Sequence, residues 1–155
     1  LIGFGKDTED TSQFVTTTGV KVALFNVEDP ENPIEVGSLT MGGQGSESEL
    51  LYDHKAILFD RDKDLLVMPI TLWSFEDFEF DSEADFSGFA VLDIDLENGV
   101  SERKRLSDGN SANPYFYYSS SRRSFYIGET LYTLSNGVIN SYQLDTLNQI
   151  SDLEL

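Results

Sequence analysis

FAVLDIDLENGVSERKRL, residues 89–106, runs an apolar strand into the acidic turn Asp95–Gly99 and starts a second strand at once. The same unit reads VALFNVEDPENPIEVGSL at 22–39 and INSYQLDTLNQISDLEL at 139–155. The turn spans seven positions from Val27 to Ile34, six from Ile94 to Val100 and six from Leu144 to Ile150. Phe25, Leu92 and Tyr142 mark the repeat, in steps of 67 and 50 residues. Strand-only repeats with a period of about 50 residues point to propeller blades, because one small sheet cannot bury both faces and must stack on its neighbours.

Working outward gives the remaining strands. LIGFG at 1–5 is short and apolar, and the first repeat adds Val20–Val27 and Ile34–Met41. HKAILF at 54–59 and LLVMPITLW at 65–73 flank the tight acidic turn Asp60–Asp64, a hairpin by length and composition. RSFYIG and TLYTLS meet at Glu129, ahead of the third repeat. The expectation is all-β: a partial β-propeller of about three blades of four antiparallel strands, eleven strands in all, with the first blade lacking its opening strand. Residues 1–155 form one segment, with a partial blade at 1–41, a second at about 53–106 and a third at about 121–155. Ser46–Tyr52 is the sole helix candidate, with Ser46 and Glu49 in capping-box spacing, and is expected to form one short turn.

Twenty-eight acids against 10 bases give a net charge of −18, which argues against nucleic acid and anionic membrane surfaces as partners, since phosphate binding relies on Lys and Arg. Such an excess fits Ca²⁺ binding, life in high salt, or simple solubility. With no cysteine there is no disulfide, thiol catalysis or cysteine-ligated zinc. No stretch approaches the roughly 20 apolar residues of a membrane span, and LIGFGKDTED lacks the regions of a signal peptide. A chain that opens at Leu1 inside a strand reads as an excised segment, so a signal or anchor is expected upstream.

The run LYDHKAILFDRDKDLLVMPI at 51–70, VALFNVEDPENPIEVGSL before it and RRSFYIGETLYTLSNGVI at 122–139 resemble a family of secreted or cell-surface proteins. Those proteins are mostly archaeal with some bacterial members, and carry a C-terminal β-propeller domain distantly related to WD repeats. The resemblance covers nearly the whole chain. It implies four-stranded blades and an exported protein at the cell surface or outside the cell, and it implies no catalytic residues.

Up-and-down blades place alternate connections at opposite ends, and the two sets differ in length. Glu28–Pro33, Asp60–Asp64, Asp95–Gly99, Glu129 and Asp145–Gln149 are short, whereas Lys6–Gly19, Gly42–Asp53, Ser74–Gly88 and Ser107–Ser121 are long. The long-connection end is the expected binding face, because rigid scaffolds carry binding residues on such loops. Passive insertion is the plain alternative. Phe75, Phe78 and Phe80 alternate with acids there, and Tyr115, Phe116, Tyr117 and Tyr118 stand together in the next connection. They could stack on a sugar, dock a peptide, receive another subunit, or fold back over the blades. Trp73 belongs to this end but reads first as a packing anchor. Arg122 and Arg123 could clamp a carboxylate, although pairing with local acids is the simpler reading.

Asp60, Asp62 and Asp64 have the alternate spacing of a calcium loop, yet Leu65 stands where the EF-hand glycine belongs and Thr71 where its glutamate belongs. A solvated acidic turn is the simpler reading. Glu76, Asp77, Glu79, Asp81, Glu83 and Asp85 form the better candidate for weak Ca²⁺ binding, the one cofactor that composition suggests. His54 is the sole histidine, and a structural hydrogen bond to a neighbouring blade is its expected role. Ser119, Ser120 and Ser121 are not placed near it by anything in the sequence. Gly42-Gly43-Gln44-Gly45 lacks the lysine of a P-loop and reads as flexible connection.

The expected function is a non-enzymatic extracellular binding module that holds a protein, peptide or glycan on the long-connection face. A Ca²⁺-dependent hydrolase or lyase at that face is the alternative, and a structural surface-layer component is a third. Self-association could complete the ring. No direct membrane insertion is expected.

Overall fold

The computed structural model describes residues 1–11, 14–74, 84–108 and 122–155. Three antiparallel sheets follow one another along the chain. The first holds β1 (Ile2–Thr11), β2 (Phe14–Asn26) and β3 (Ile34–Met41) in that order. The second holds β4 (Leu58–Asp60), β5 (Leu65–Leu72), β6 (Phe86–Asp95) and β7 (Gly99–Ser107). The third holds β8 (Arg123–Ile127), β9 (Thr130–Ser135), β10 (Val138–Gln143) and β11 (Gln149–Glu154). These are the blades expected from the repeat, one of three strands and two of four.

The middle blade explains why LLVMPITLW shows no polar alternation. Successive strand residues point to opposite faces, and this sheet is covered on both. Leu66, Met68, Ile70 and Leu72 pack with Val20, Val22 and Leu24 of β2 and with Ala90, Leu92 and Ile94 of β6. The alternate set, Leu65, Val67, Phe89 and Val91, packs with Leu131, Tyr142, Leu144 and Leu147 of the third blade. Each residue of β5 is buried, whereas each residue of β11, at the far edge of the third blade, is exposed.

Between the first two blades the backbones approach closely where glycine meets glycine. A Cβ on Gly37 of β3 would lie 3.0 Å from Cα of Gly99, which opens β7 at φ +84°. No L side chain is comfortable at that φ, and none fits between the backbones.

Three local expectations change. Lys6–Gly19 is not a long loop: β1 and β2 stay paired from Ile2↔Leu24 to Thr11↔Phe14, with a register shift between Asp7 and Thr8. The β-branched run Val15–Thr18 favours an extended ladder, and the bulge absorbs the extra residue. Second, the short turn forms at Glu49–Leu51 but is capped by Ser48, whose Oγ accepts from Leu50 N at 3.2 Å. Ser46 is engaged elsewhere, accepting from Trp73 N at 2.9 Å and from Gly43 N at 3.0 Å. Third, HKAILF is not strand throughout: His54–Ala56 is a 3₁₀ turn capped by the Asp53 carboxylate, and the strand starts at Leu58.

Gly42–Gly45 is likewise a locked turn, not a flexible one. Gly42 takes φ +69°, and a Cβ there would stand 2.2 Å from Ser46 Oγ. Gly43 N donates to Trp73 O at 2.8 Å.

Candidate functional site

The short-turn end is built from aspartates that cap their own turns. Asp29 accepts from Glu31 N at 3.1 Å, Asp60 from Asp62 N at 2.9 Å, and Asp95 from Glu97 N at 2.6 Å. This local bonding is what aspartate offers a turn. Hydrogen bonds also hold the three carboxyls below their usual pKa: Asp29 chiefly through the Asn32 side chain and Asp95 chiefly through the Glu97 amide, both within the turn, and Asp60 chiefly through the distant Tyr126 hydroxyl. Asp60 therefore spends its oxygens on Tyr126 and on its own turn. Asp64 takes the left-handed conformation that closes that turn, at φ 50°. Among the described residues no three His, Cys, Asp or Glu side chains gather as a metal site. Glu76, Asp77, Glu79, Asp81 and Glu83 lie outside the described residues, and Asp85 accepts from Ser74 N.

The Tyr126–Asp60 hydrogen bond makes a pH prediction with two limbs. Asp60 sits below 3.8, so its contribution to stability is present above that value and disappears as pH falls through its folded pKa. Tyr126 is raised above 10.0, chiefly by the same bond, so its contribution is present below 10.0 and disappears as pH rises through its folded pKa. The difference in melting midpoint between the wild type and Tyr126→Phe is expected to be largest at neutral pH and to shrink at both extremes. A difference constant from acid to alkali would contradict the pairing.

At the opposite end, Arg122 gathers three connections. Its backbone N–H donates to Glu49 Oε2 at 2.9 Å and its Nε to Glu49 Oε1 at 3.0 Å. Nη1 reaches Ile70 O at 3.2 Å and Gly88 O at 3.4 Å, Nη2 reaches Thr71 Oγ1 at 3.2 Å, and Asp108 Oδ2 lies 3.9 Å away. The side chain is 9% exposed and that of Asp108 only 2%. Asp108 also accepts from Ser87 Oγ at 3.0 Å and from Ser135 Oγ at 3.1 Å, joining the second blade to the third. Arg123 extends the network through Glu49, at 3.5 Å, and Asp53. Both arginines thus pair with the protein's own acids, the simpler of the two readings.

Sequence reasoning missed Glu49 and Asp108, whose partners are far away along the chain. Trp73 is buried at this end, its backbone held by Gly43 and Ser46, as a packing anchor should be. Beside it a cleft of about 310 Å³ is lined by Lys6, Thr17, Gln44, Gly45 and Glu47. Lys6 Nζ lies 2.6 Å from Glu47 Oε1, and Tyr52 donates to Glu47 Oε2 at 2.9 Å. The sequence singled out Gln44 and Gly45 only as part of a flexible connection and did not single out the Lys6–Glu47 pair; only the fold carries the β1–β2 hairpin up to the Gly42–Asp53 connection.

Phe75, Phe78, Phe80, Tyr115, Phe116, Tyr117, Tyr118 and Ser119–Ser121 lie outside the described residues. His54 departs from expectation: it is exposed on its 3₁₀ turn, and no hydrogen bond joins its imidazole to a neighbouring blade among the described residues. The turn that carries it is capped by Asp53, whose carboxylate accepts from Lys55 N at 2.9 Å. Among the described residues no helix is long and apolar enough to cross a membrane.

A family model described as a β-propeller domain matches residues 1–147. No curated protein and no solved structure matches the chain.

Proposed function

The chain belongs to the β-propeller domain family, and on that premise we propose that it is a non-enzymatic, extracellular binding module whose long-connection end holds a protein, peptide or glycan. Its fold suits an interaction module. One observation carries the choice of face. The short turns are closed on themselves by aspartate caps, while Ser74 and Asp85, at the two roots of one long connection, bond each other, and Asp108 and Arg122, at the two roots of the next, share one buried network with Ser87, Gly88 and Glu49. Rigid roots under long connections are how scaffolds present binding residues. The Lys6–Glu47 cleft adds a charged pair next to the Gly42–Asp53 connection at the same end.

The test is by variant pairs. The triple variant Phe78→Ala, Tyr115→Ala, Tyr117→Ala is expected to weaken binding about tenfold or more to whichever glycan or extracellular peptide an array retains, because interface aromatics carry much of the binding energy. Its far-UV spectrum should match the wild type. Glu31→Ala with Glu97→Ala, at the short-turn end, is expected to change nothing. Loss of binding by the second pair and not the first would remove the assignment.

Ca²⁺ enters this reading as a weak ligand of the acidic connection from Glu76 to Asp85. The melting midpoint is then expected to rise from chelator to millimolar Ca²⁺, since a ligand of the folded state alone stabilises it. Equal midpoints would remove the ion from the account.

A further inference from the structure

Lys6 and Glu47 form a closed ion pair in the wall of a cleft of about 310 Å³, whose other lining residues are Thr17, Gln44 and Gly45. The wall is held from behind. Glu47 exchanges both backbone hydrogen bonds with Thr71 of β5, at 2.9 and 2.8 Å, and Ser46, whose carbonyl accepts from Lys6 Nζ, is fixed on Trp73. Lys6 itself stands in the β1–β2 ladder opposite Val20. The pair thus joins the first blade to the second, and both of its members are positioned by the fold.

The bonding capacity left over is that of a hydroxyl-binding surface. An ammonium has three donors, and Lys6 uses two of them, on Ser46 O and Glu47 Oε1. Each carboxylate oxygen of Glu47 has two lone pairs and uses one, Oε1 on Lys6 and Oε2 on the Tyr52 hydroxyl at 2.9 Å. Among the described residues nothing bonds the Gln44 amide or the Thr17 hydroxyl. The Tyr52 ring, 77% exposed and tied to the cleft wall by that hydroxyl, adds a flat apolar surface.

We propose that this cleft is a subsite for a neutral saccharide, a proposal that rests on the reading of the long-connection end as the binding face. Ionic ligands fit the cleft poorly. An anion must displace Glu47 from Lys6 and then face that carboxylate, and a cation must displace Lys6; the net charge of −18 opposes anions at longer range as well. A peptide strand finds no edge on this wall, because Glu47 has spent its backbone N–H and C=O on Thr71. A sugar hydroxyl donates and accepts at once. Neighbouring hydroxyls therefore bridge Lys6 and Glu47 without parting them, others reach Gln44 and Thr17, and the C–H face of the ring lies on Tyr52. The volume is at the lower end of the roughly 300–1,000 Å³ of small-molecule sites, which limits the subsite to about one or two sugar rings.

The probes are the methyl glycosides of glucose, galactose and mannose, titrated to tens of millimolar into the whole chain and followed by NMR amide shifts. At least one is expected to shift Lys6, Gln44, Gly45 and Glu47 saturably. Glu47→Gln keeps the shape of the wall but leaves the Lys6 ammonium without its counter-charge. It is expected to weaken that glycoside about tenfold, the loss of a hydrogen bond to a charged group, and to bind methyl glucuronide, an anionic sugar, more tightly than the wild type does. A merely structural role would not change the charge preference. Should that variant not fold, Gln44→Ala, at an exposed position, is expected to weaken the glycoside about threefold with the melting midpoint unchanged. No saturable shift at these amides with any of the three glycosides, or equal affinity in the wild type and both variants, overturns the proposal. If a peptide from the array protects the same end while the cleft takes no glycoside, the subsite falls and the binding face stands; if a glycoside shifts only Glu28–Pro33, Asp60–Asp64 and Asp95–Gly99, both fall.

Discussion

Arg122→Ala is expected to cost about 3–5 kcal/mol in urea denaturation, the range for removing one member of a buried ion pair. The cost arises from what stays behind. Glu49 loses its guanidinium bond, the Ile70 and Gly88 carbonyls and Thr71 lose a donor, and the Asp108 carboxylate, 2% exposed, loses its nearest cation. Ser87 and Ser135 still donate to Asp108, but hydroxyl bonds do not neutralise a buried charge. Arg122→Lys should recover only part of the loss, because a compact ammonium cannot replace a planar fork that serves Glu49 and the β5 and β6 groups together. A cost below about 1 kcal/mol for Arg122→Ala, the range of an exposed pair, would show that the network is ornamental.

Phe89→Ala is expected to be equally severe, at about 3–5 kcal/mol, from lost transfer energy and the cavity left behind. Phe89 is 1% exposed on β6 and packs with Leu65, Val67 and Val91 of its own blade and with the residues of the third. Collapse around the gap would need two sheets to move together. Ile150→Ala is the control: at 55% exposure on β11 it should stay within about 0.5 kcal/mol. Similar costs at both positions would mean that the second and third blades do not share a core.

The strand order was legible because each blade writes its own short turn. Asp60 and Asp95 accept bonds from amides two residues on, and an acid followed by a tight turn is a local pattern. The apolar run at 65–72 was legible for a related reason, since only a sheet covered on both faces has no need of polar alternation. Lys6–Gly19 misled because its charges and serine look like loop, while the β-branched residues facing them, Val15–Thr18, determine the ladder. Ser46 misled in the same way: its spacing to Glu49 fits a cap, but the hydroxyl is better used on Trp73, a partner 27 residues away.

The candidate site was less legible. Arg122 bonds Glu49 across 73 residues and Ile70 across 52, separations at which a sequence carries no local signal. Arg122 and Arg123 stood out as the paired bases, but which acids they meet is decided by blade stacking. The Lys6–Glu47 cleft, bridging 6 and 47, has the same character. The length of the connections set the two ends of the molecule apart in the sequence, although Lys6–Gly19, counted among the long ones, is a paired hairpin. The residues that hold those connections could be read only from the packed sheets.

The central claim, that the long-connection end is the binding face, is tested most directly by hydrogen exchange of the complete chain with and without a ligand retained on the array. Slowed exchange at Gln44–Tyr52, Ser74, Asp85 and Arg122–Arg123, with the turns Glu28–Pro33, Asp60–Asp64 and Asp95–Gly99 unchanged, is the predicted result; protection confined to those three turns would contradict it.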